Sequence, residues 1–237
     1  AEERELLETH QEGFVKSQHN LDIEYDVQAT IQPVASLTKD KVREILNFFN
    51  MPPELVYRKA FPGPALSARI IGPVTAENLD FEKRMHDLVE SHVEDYYNKN
   101  FGKPMIINNK GEQEPFQVFA AVGEDIFKQE VTGLMNGKRI YELPQVYEGA
   151  WDYKDIIERA TEIKGFSRLI VKLGANQIGK YDVVIRSINS KDARTATITE
   201  LPLTLLEEMS QTILKFPKTK NVYFDVTPKP PATIEYV

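Results

Sequence analysis

The chain is 237 residues long, 41% hydrophobic and 27% charged, with 36 acidic against 29 basic side chains and a formal charge of −7. Those proportions suit a soluble globular protein of two modest domains rather than one large one, and the acidic balance argues against a nucleic-acid surface while leaving room for a mononucleotide, which takes only a few cations. The lack of cysteine excludes disulfides, thiolate catalysis and cysteine-held metals. No apolar run reaches the length of a membrane span, and the acidic start Ala1-Glu2-Glu3-Arg4-Glu5 is no secretion signal, so a cytoplasmic protein without membrane contact is expected.

Residues 1–13 read as a short helix or an irregular acidic lead-in. Residues 23–31 alternate as a strand does, and Thr38 opens an amphipathic helix over 39–49 with Val42, Ile45, Leu46 and Phe49 at helical spacing. Met51-Pro52-Pro53 stops it, because a residue before proline is pushed out of α geometry, and a second short helix is expected over 54–58. The block 61–73 reads as a tight turn followed by a strand at 66–71. Thr75 is a plausible N-cap for a long helix reaching residue 98, whose apolar face is Leu79, Phe81, Met85, Leu88, Val89 and Val93.

Strands follow at 118–122, 130–134 and 139–143, the last two joined by Asn136-Gly137, a strong hairpin signal. A helix at 151–164 ends at Gly165, strands are expected at 167–173 and 180–189, and a helix at 203–215 leads to a strand at 221–226. This order gives an α+β fold of mixed or antiparallel strands with helices packed on one face.

Several residues carry chemistry. Gly63 sits between Pro62 and Pro64, which bends the backbone and lets another molecule approach it closely. Arg58 and Arg69 flank that bend, as phosphate ligands or as surface charges paired with carboxylates. Arg186 falls mid-strand, where its fork needs a partner; Asp192 and Glu200 are the carboxylates considered for an ion pair. Pro228, Pro230 and Pro231 remove backbone donors and frame Lys229 in an extended tail, with the Thr233 hydroxyl and Glu235 carboxylate just beyond. That set suits a phosphorylated, hydroxyl-bearing ligand; the plainer alternative is an ordered tail whose prolines stop a strand. His86 and His92, six apart on one helix, do not make a metal pair.

The tail Lys229-Pro230-Pro231-Ala232-Thr233-Ile234-Glu235-Tyr236-Val237 resembles the C-terminus of the GMP synthases, Lys-Pro-Pro-(Ala/Gly)-Thr-Ile-Glu-Trp-Glu, with Tyr236 and Val237 replacing the last two residues. The block from Tyr57 to Val74 is similar to that family's Tyr-Arg-x-x-Phe-Pro-Gly-Pro-Gly-Leu-x-x-Arg-x-x-Gly-x-Val. Residues 181–188, then 192–195 and Leu201-Pro202, resemble the strand, arginine and helix start that precede the family's tail.

The resemblance implies the end of an α/β adenine-nucleotide hydrolase-like (ATP-pyrophosphatase) domain over 1–73 and the C-terminal dimerisation and XMP-binding domain over 74–237. It implies a synthetase that uses Mg and ATP to activate XMP and ammonia to form GMP, with a glutaminase subunit or domain as partner and a homodimer as the assembly. By the same resemblance Lys229, Arg186 and Thr233 would hold the nucleotide phosphate. Ile234 and Glu235 would complete the cradle, Glu235 in the ribose or phosphate network, and Gly63 and Pro64 would pack on the base. Lys16-Ser17-Gln18-His19-Asn20 resembles the family's lid, so Lys16 is carried over as its lid residue, with Gln18 in place of a histidine and Leu21-Asp22 where glycines are expected.

The family's Ser-Gly-Gly-Val-Asp-Ser phosphate loop is not among these residues, and Gly174 to Gly179 is not a version of it. No Mg or ATP is therefore expected to bind this chain alone. Either the sequence is a piece of a longer chain, or a partner supplies that part, or the protein is a degenerate paralogue. The competing function is a non-catalytic purine-nucleotide-binding or oligomerisation module.

Overall fold

The computed structural model describes residues 4–6, 15–17, 33–34, 36–56, 65–102, 116–162, 165–190 and 194–236. The chain divides into two units, Ala1–Arg58 and Lys59–Val237.

In the first unit, β1 (Arg4–Leu6) pairs antiparallel with β2 (Val15–Ser17), so the acidic lead-in contains a strand rather than a helix. Helix α1 (Lys39–Phe48) follows Thr38 as its apolar spacing predicts, and α2 (Pro53–Val56) begins one residue earlier than expected, at a proline that suits the first turn. The strand expected at 23–31 lies outside the described residues.

The second unit is built on a mixed sheet. A 3-10 turn, Ala65–Arg69, occupies most of the stretch expected as a strand and leaves only β3 (Ile70–Ile71) extended. Helix α3 (Ala76–Phe101) starts at Thr75, whose hydroxyl accepts from the Asn78 amide while the Asn78 side chain accepts from Thr75, and stops at Gly102 in left-handed conformation. Strand β4 (Phe116–Gly123) precedes the hairpin of β5 (Val131–Met135) and β6 (Lys138–Glu142), turned by Asn136 and Gly137 at φ 52 and 72. Strand β7 (Pro144–Tyr147), not anticipated, leads to α4 (Tyr153–Thr161), capped by Asp152. Then come β8 (Arg168–Ala175), β9 (Tyr181–Asn189), a short β10 (Thr197–Ile198), α5 (Leu203–Ile213) and β11 (Thr219–Asp225).

The sheet order is β3-β4-β9-β11-β8-β7, with β10 beside β9. Its β9–β11 pair is parallel and the flanking β4–β9 and β11–β8 pairs are antiparallel. Every residue of β9 is buried, as expected of a central strand covered on both faces. The protein is thus α+β, and side-chain alternation divides its core. One face receives the helices: Phe81 of α3 stacks on Tyr181 at 5.1 Å, and Trp151 and Tyr153 meet Phe224. The other face carries Phe119, Val184, Ile170 and Tyr223, roofed by Val131 of the hairpin and Tyr236 of the tail. Among the described residues no helix is long and apolar enough to cross a membrane.

The connection after β8 is fitted against β11. The Asn176 amide donates to the Lys220 carbonyl at 2.8 Å, and a Cβ on Gly179 would stand 2.3 Å from the Thr219 carbonyl oxygen. Gly179→Ala is therefore expected to destabilise the protein by about 1–3 kcal/mol, the usual cost of overpacking, measured as a lowered urea midpoint.

Candidate functional site

The tail residues predicted to carry function are built into the sheet. Beyond β11 the Thr227 hydroxyl accepts from the Leu169 amide at 2.8 Å and donates to the Leu169 carbonyl at 3.1 Å. Lys229 exchanges two backbone hydrogen bonds with Ala196, each 2.9 Å. The chain then turns rather than staying extended: the Ala232 amide donates to the Pro228 carbonyl at 3.0 Å, and the peptide bonds preceding Pro230 and Pro231 are cis. Strand β5 receives the residues at and beyond this turn. Its Leu134 amide donates to the Pro231 carbonyl at 2.6 Å and its Thr132 amide to the Tyr236 carbonyl at 3.1 Å.

Beneath the tail lies a charged cluster with no solvent exposure. The register of β9, β11 and β8 sets Arg186 beside Asp225 and Asp225 beside Ile170, so Arg186, Asp225 and Arg168 emerge on one face. One Asp225 oxygen accepts from Arg168 at 2.8 Å, from Arg186 at 2.8 Å and from the Tyr236 hydroxyl at 2.7 Å. Arg186 donates its remaining bonds to the carbonyls of Ile234 (3.0 Å), Thr227 (3.1 Å) and Thr233 (2.8 Å). Arg168 donates to the Thr233 hydroxyl at 2.9 Å and to the carbonyls of Thr233, Thr132 and Glu235, with its guanidinium 3.9 Å from the centre of the Tyr236 ring. Burial by itself would raise the Asp225 carboxyl, but the two guanidiniums hold it below its usual range. Burial and the adjoining Asp225 push the Tyr236 phenol up.

A second group adjoins the first. Arg69 is 2% exposed, lies 3.4 Å from Glu235, sits 4.3 Å over the Phe119 ring, and approaches the ring nitrogens of His86 at 3.1 and 3.2 Å. Glu82, one turn before His86 on α3, is fully buried, and among the described residues neither of its carboxylate oxygens has a hydrogen-bond partner. Burial pushes its pKa up to about 8, against the pull of Arg69. Burial likewise raises Glu235, again opposed by Arg69.

The structure brings Arg186, Thr233, Ile234 and Glu235 into one network and places Lys229 on the same tail, across the turn. Arg186 finds its partner in Asp225 rather than Glu200, while Asp192 lies outside the described residues. The Thr233 hydroxyl faces inward, 2.6 Å from the Thr132 hydroxyl. Arg69, expected as a phosphate ligand or a surface charge, is a buried partner of Glu235. Lys16 lies in β2 opposite Glu5, whereas Arg58, Gly63 and Pro64 lie outside the described residues. Sequence reasoning missed Arg168, Asp225 and Glu82. The signal for each was the one that singled out Arg186: a charge inside an apolar strand or on the apolar face of a helix.

Residues 155–236 match the family described as GMP synthase C terminal domain. The chain is 29% identical over 238 residues to a protein from Saccharolobus islandicus strain M.14.25 / Kamchatka #1 that is named as one subunit of a glutamine-hydrolyzing GMP synthase, covering 95% of this chain and 63% of that protein. It is 30% identical over 241 residues to the protein of the same name from Saccharolobus solfataricus, with the same two coverages. Against the one from Methanosarcina barkeri it is 29% identical over 229 residues, 95% of this chain and 56% of that protein. The chain thus spans 56% to 63% of the length of these relatives. The similarity therefore extends along nearly the whole chain, and residues 155–236 carry the match to the family described as GMP synthase C terminal domain.

Proposed function

We propose that this chain supplies the XMP-binding and dimerising part of a GMP synthase, the enzyme that activates the 2-oxygen of XMP with ATP and replaces it with ammonia. The observation that carries this reading is the seating of the tail. The segment that resembles the family's terminal motif is held by buried guanidiniums from beneath and by hairpin amides from the side, so its groups are fixed before any ligand arrives. Lys229 is the cation for the phosphate. Arg186 and Thr233 work from inside the network, Ile234 and Glu235 complete the cradle through backbone and carboxylate, and Gly63 with Pro64 packs on the base.

The relatives are each named as a single subunit of a glutamine-hydrolysing enzyme, which supports a separate glutaminase partner that delivers ammonia. Mg and ATP belong to the family's Ser-Gly-Gly-Val-Asp-Ser loop, which residues 1–237 do not contain, so no step of ATP cleavage is assigned to these side chains.

Calorimetric titration of the chain with XMP, and with GMP and ATP for comparison, tests the reading. Micromolar XMP binding is expected, weakened at least about tenfold, or about 1.4 kcal/mol, in Lys229→Ala, because a charge-assisted contact to phosphate is lost. No XMP binding by the unaltered chain would overturn the proposal and favour a non-catalytic oligomerisation module; sedimentation of the same sample tests the dimer.

A further inference from the structure

We propose that Arg168 and Asp225 are positioning residues that turn the carbonyls of the tail inward and so aim its backbone amides at the ligand, an inference that rests on the nucleotide-binding reading above. Three successive carbonyls point into the protein: Thr233 and Glu235 to Arg168, Thr233 and Ile234 to Arg186. A peptide group is planar and trans here, so its N–H lies on the side away from its C=O. With the Thr233 and Ile234 carbonyls drawn in, the amides of Ile234 and Glu235 are driven out, and among the described residues neither donates to another group. Two neighbouring amides that face away from the buried guanidiniums offer an anion a pair of donors.

The charge beneath supports the same task. Arg168 and Arg186 share one carboxylate, Asp225, and all three side chains have no exposure, so the cluster carries one positive charge in excess. That excess lies directly under the amides. Tyr236 ties the device together: its hydroxyl fixes Asp225 while its ring supports Arg168. Where the family's tail has tryptophan, this chain has a side chain that donates to the buried carboxylate. None of these groups touches the ligand; they act through the tail.

The experiment uses Arg168→Lys, which keeps the charge but loses the planar fork, and Tyr236→Phe, which keeps the ring and loses only the hydroxyl. Amide exchange is read at Thr132 and Leu134, whose acceptors are the tail carbonyls of Tyr236 and Pro231. Affinity is read for XMP and for xanthosine, which lacks the phosphate. Faster exchange at Thr132 and Leu134 is expected, with β9 and β11 unchanged, together with an XMP affinity lowered about tenfold in Arg168→Lys and several-fold in Tyr236→Phe, and xanthosine unaffected. Equal loss for XMP and xanthosine, or unchanged exchange at the two amides in both variants, would overturn the positioning role. Should Arg168→Lys not fold, Tyr236→Phe decides alone. Failure of the unaltered chain to bind XMP would instead overturn the nucleotide reading, while the exchange data would still say whether the clamp holds the tail.

Discussion

Asp225→Ala is expected to be the most damaging single substitution in the second unit, lowering stability by about 3–5 kcal/mol, because it leaves two guanidiniums buried without their counter-charge. Among the described residues the aspartate is the only carboxylate that Arg168 and Arg186 share, and all three groups are sealed from solvent. Removing it also strands the Tyr236 hydroxyl, whose bond to Asp225 is 2.7 Å. The Asp225 carboxyl is held below its usual value, so its contribution is present above the unfolded value near 3.8 and is lost as pH falls through the lower folded value. Urea denaturation at neutral pH gives the check, with Asp80→Ala as control. The Asp80 pair with Arg84 is 3.0 Å long but more than 60% exposed on both sides, and its loss is expected to stay within the scatter of the measurement. An Asp225→Ala midpoint as little changed as the control's would contradict this account of the cluster.

Glu82 gives the second large effect, and it appears as a dependence on pH. Its carboxyl titrates near 4.5 in the unfolded chain and at about 8 in the folded one. Between those values the folded state holds a proton that the unfolded state has released. Stability is therefore full below about 4.5 and declines as pH rises toward 8, by up to about 1.4 kcal/mol per pH unit. The charges that bear on Glu82 are Arg69 from the 3-10 turn, Glu235 from the tail and Lys83 from its own helix, and the first two also face each other. Glu82→Gln cannot ionise and should flatten the profile, gaining most over the unaltered chain at pH 8 to 9. Some slope should persist, because the Glu235 carboxyl is raised as well. Urea midpoints from pH 5 to 9 for both proteins test this, and parallel profiles would exclude Glu82 as the source.

What could be read from the sequence was local. The Asn136-Gly137 hairpin and the Thr75 start of α3 come from turn and capping chemistry held within a few residues, and both are observed. The 3-10 turn at 65–69 reads in sequence as a strand because Leu66, Ala68 and Ile70 alternate as a strand would, and period alone does not separate the two over so short a run. Strand β7 escapes notice because it is four residues long and opens on proline. The site divides in the same way. Arg186 is visible as a charge inside an apolar strand, but its partner depends on β9 lying parallel to β11, a neighbour relation created by the crossover through α5 and absent from either segment alone. The pairing of Arg168 with Asp225 depends likewise on β8 lying beside β11. The tail looks like an independent binding loop because its resemblance is continuous in sequence, whereas its support comes from β5, β8, β9 and β11.

The shared carboxylate also proofreads the central pairing of the sheet. A slip of one residue in β11 would exchange the faces of Asp225 and Phe224, placing an aromatic ring against two guanidiniums and a carboxylate among the aromatic side chains under the helices. Hydrophobic residues alone discriminate weakly here, since Val222, Tyr223, Phe224 and Val226 are all buried and any of them would suit either face. The ion cluster makes the misaligned arrangement prohibitively costly, so the charge that holds the tail also selects the single alignment in which that tail has a seat.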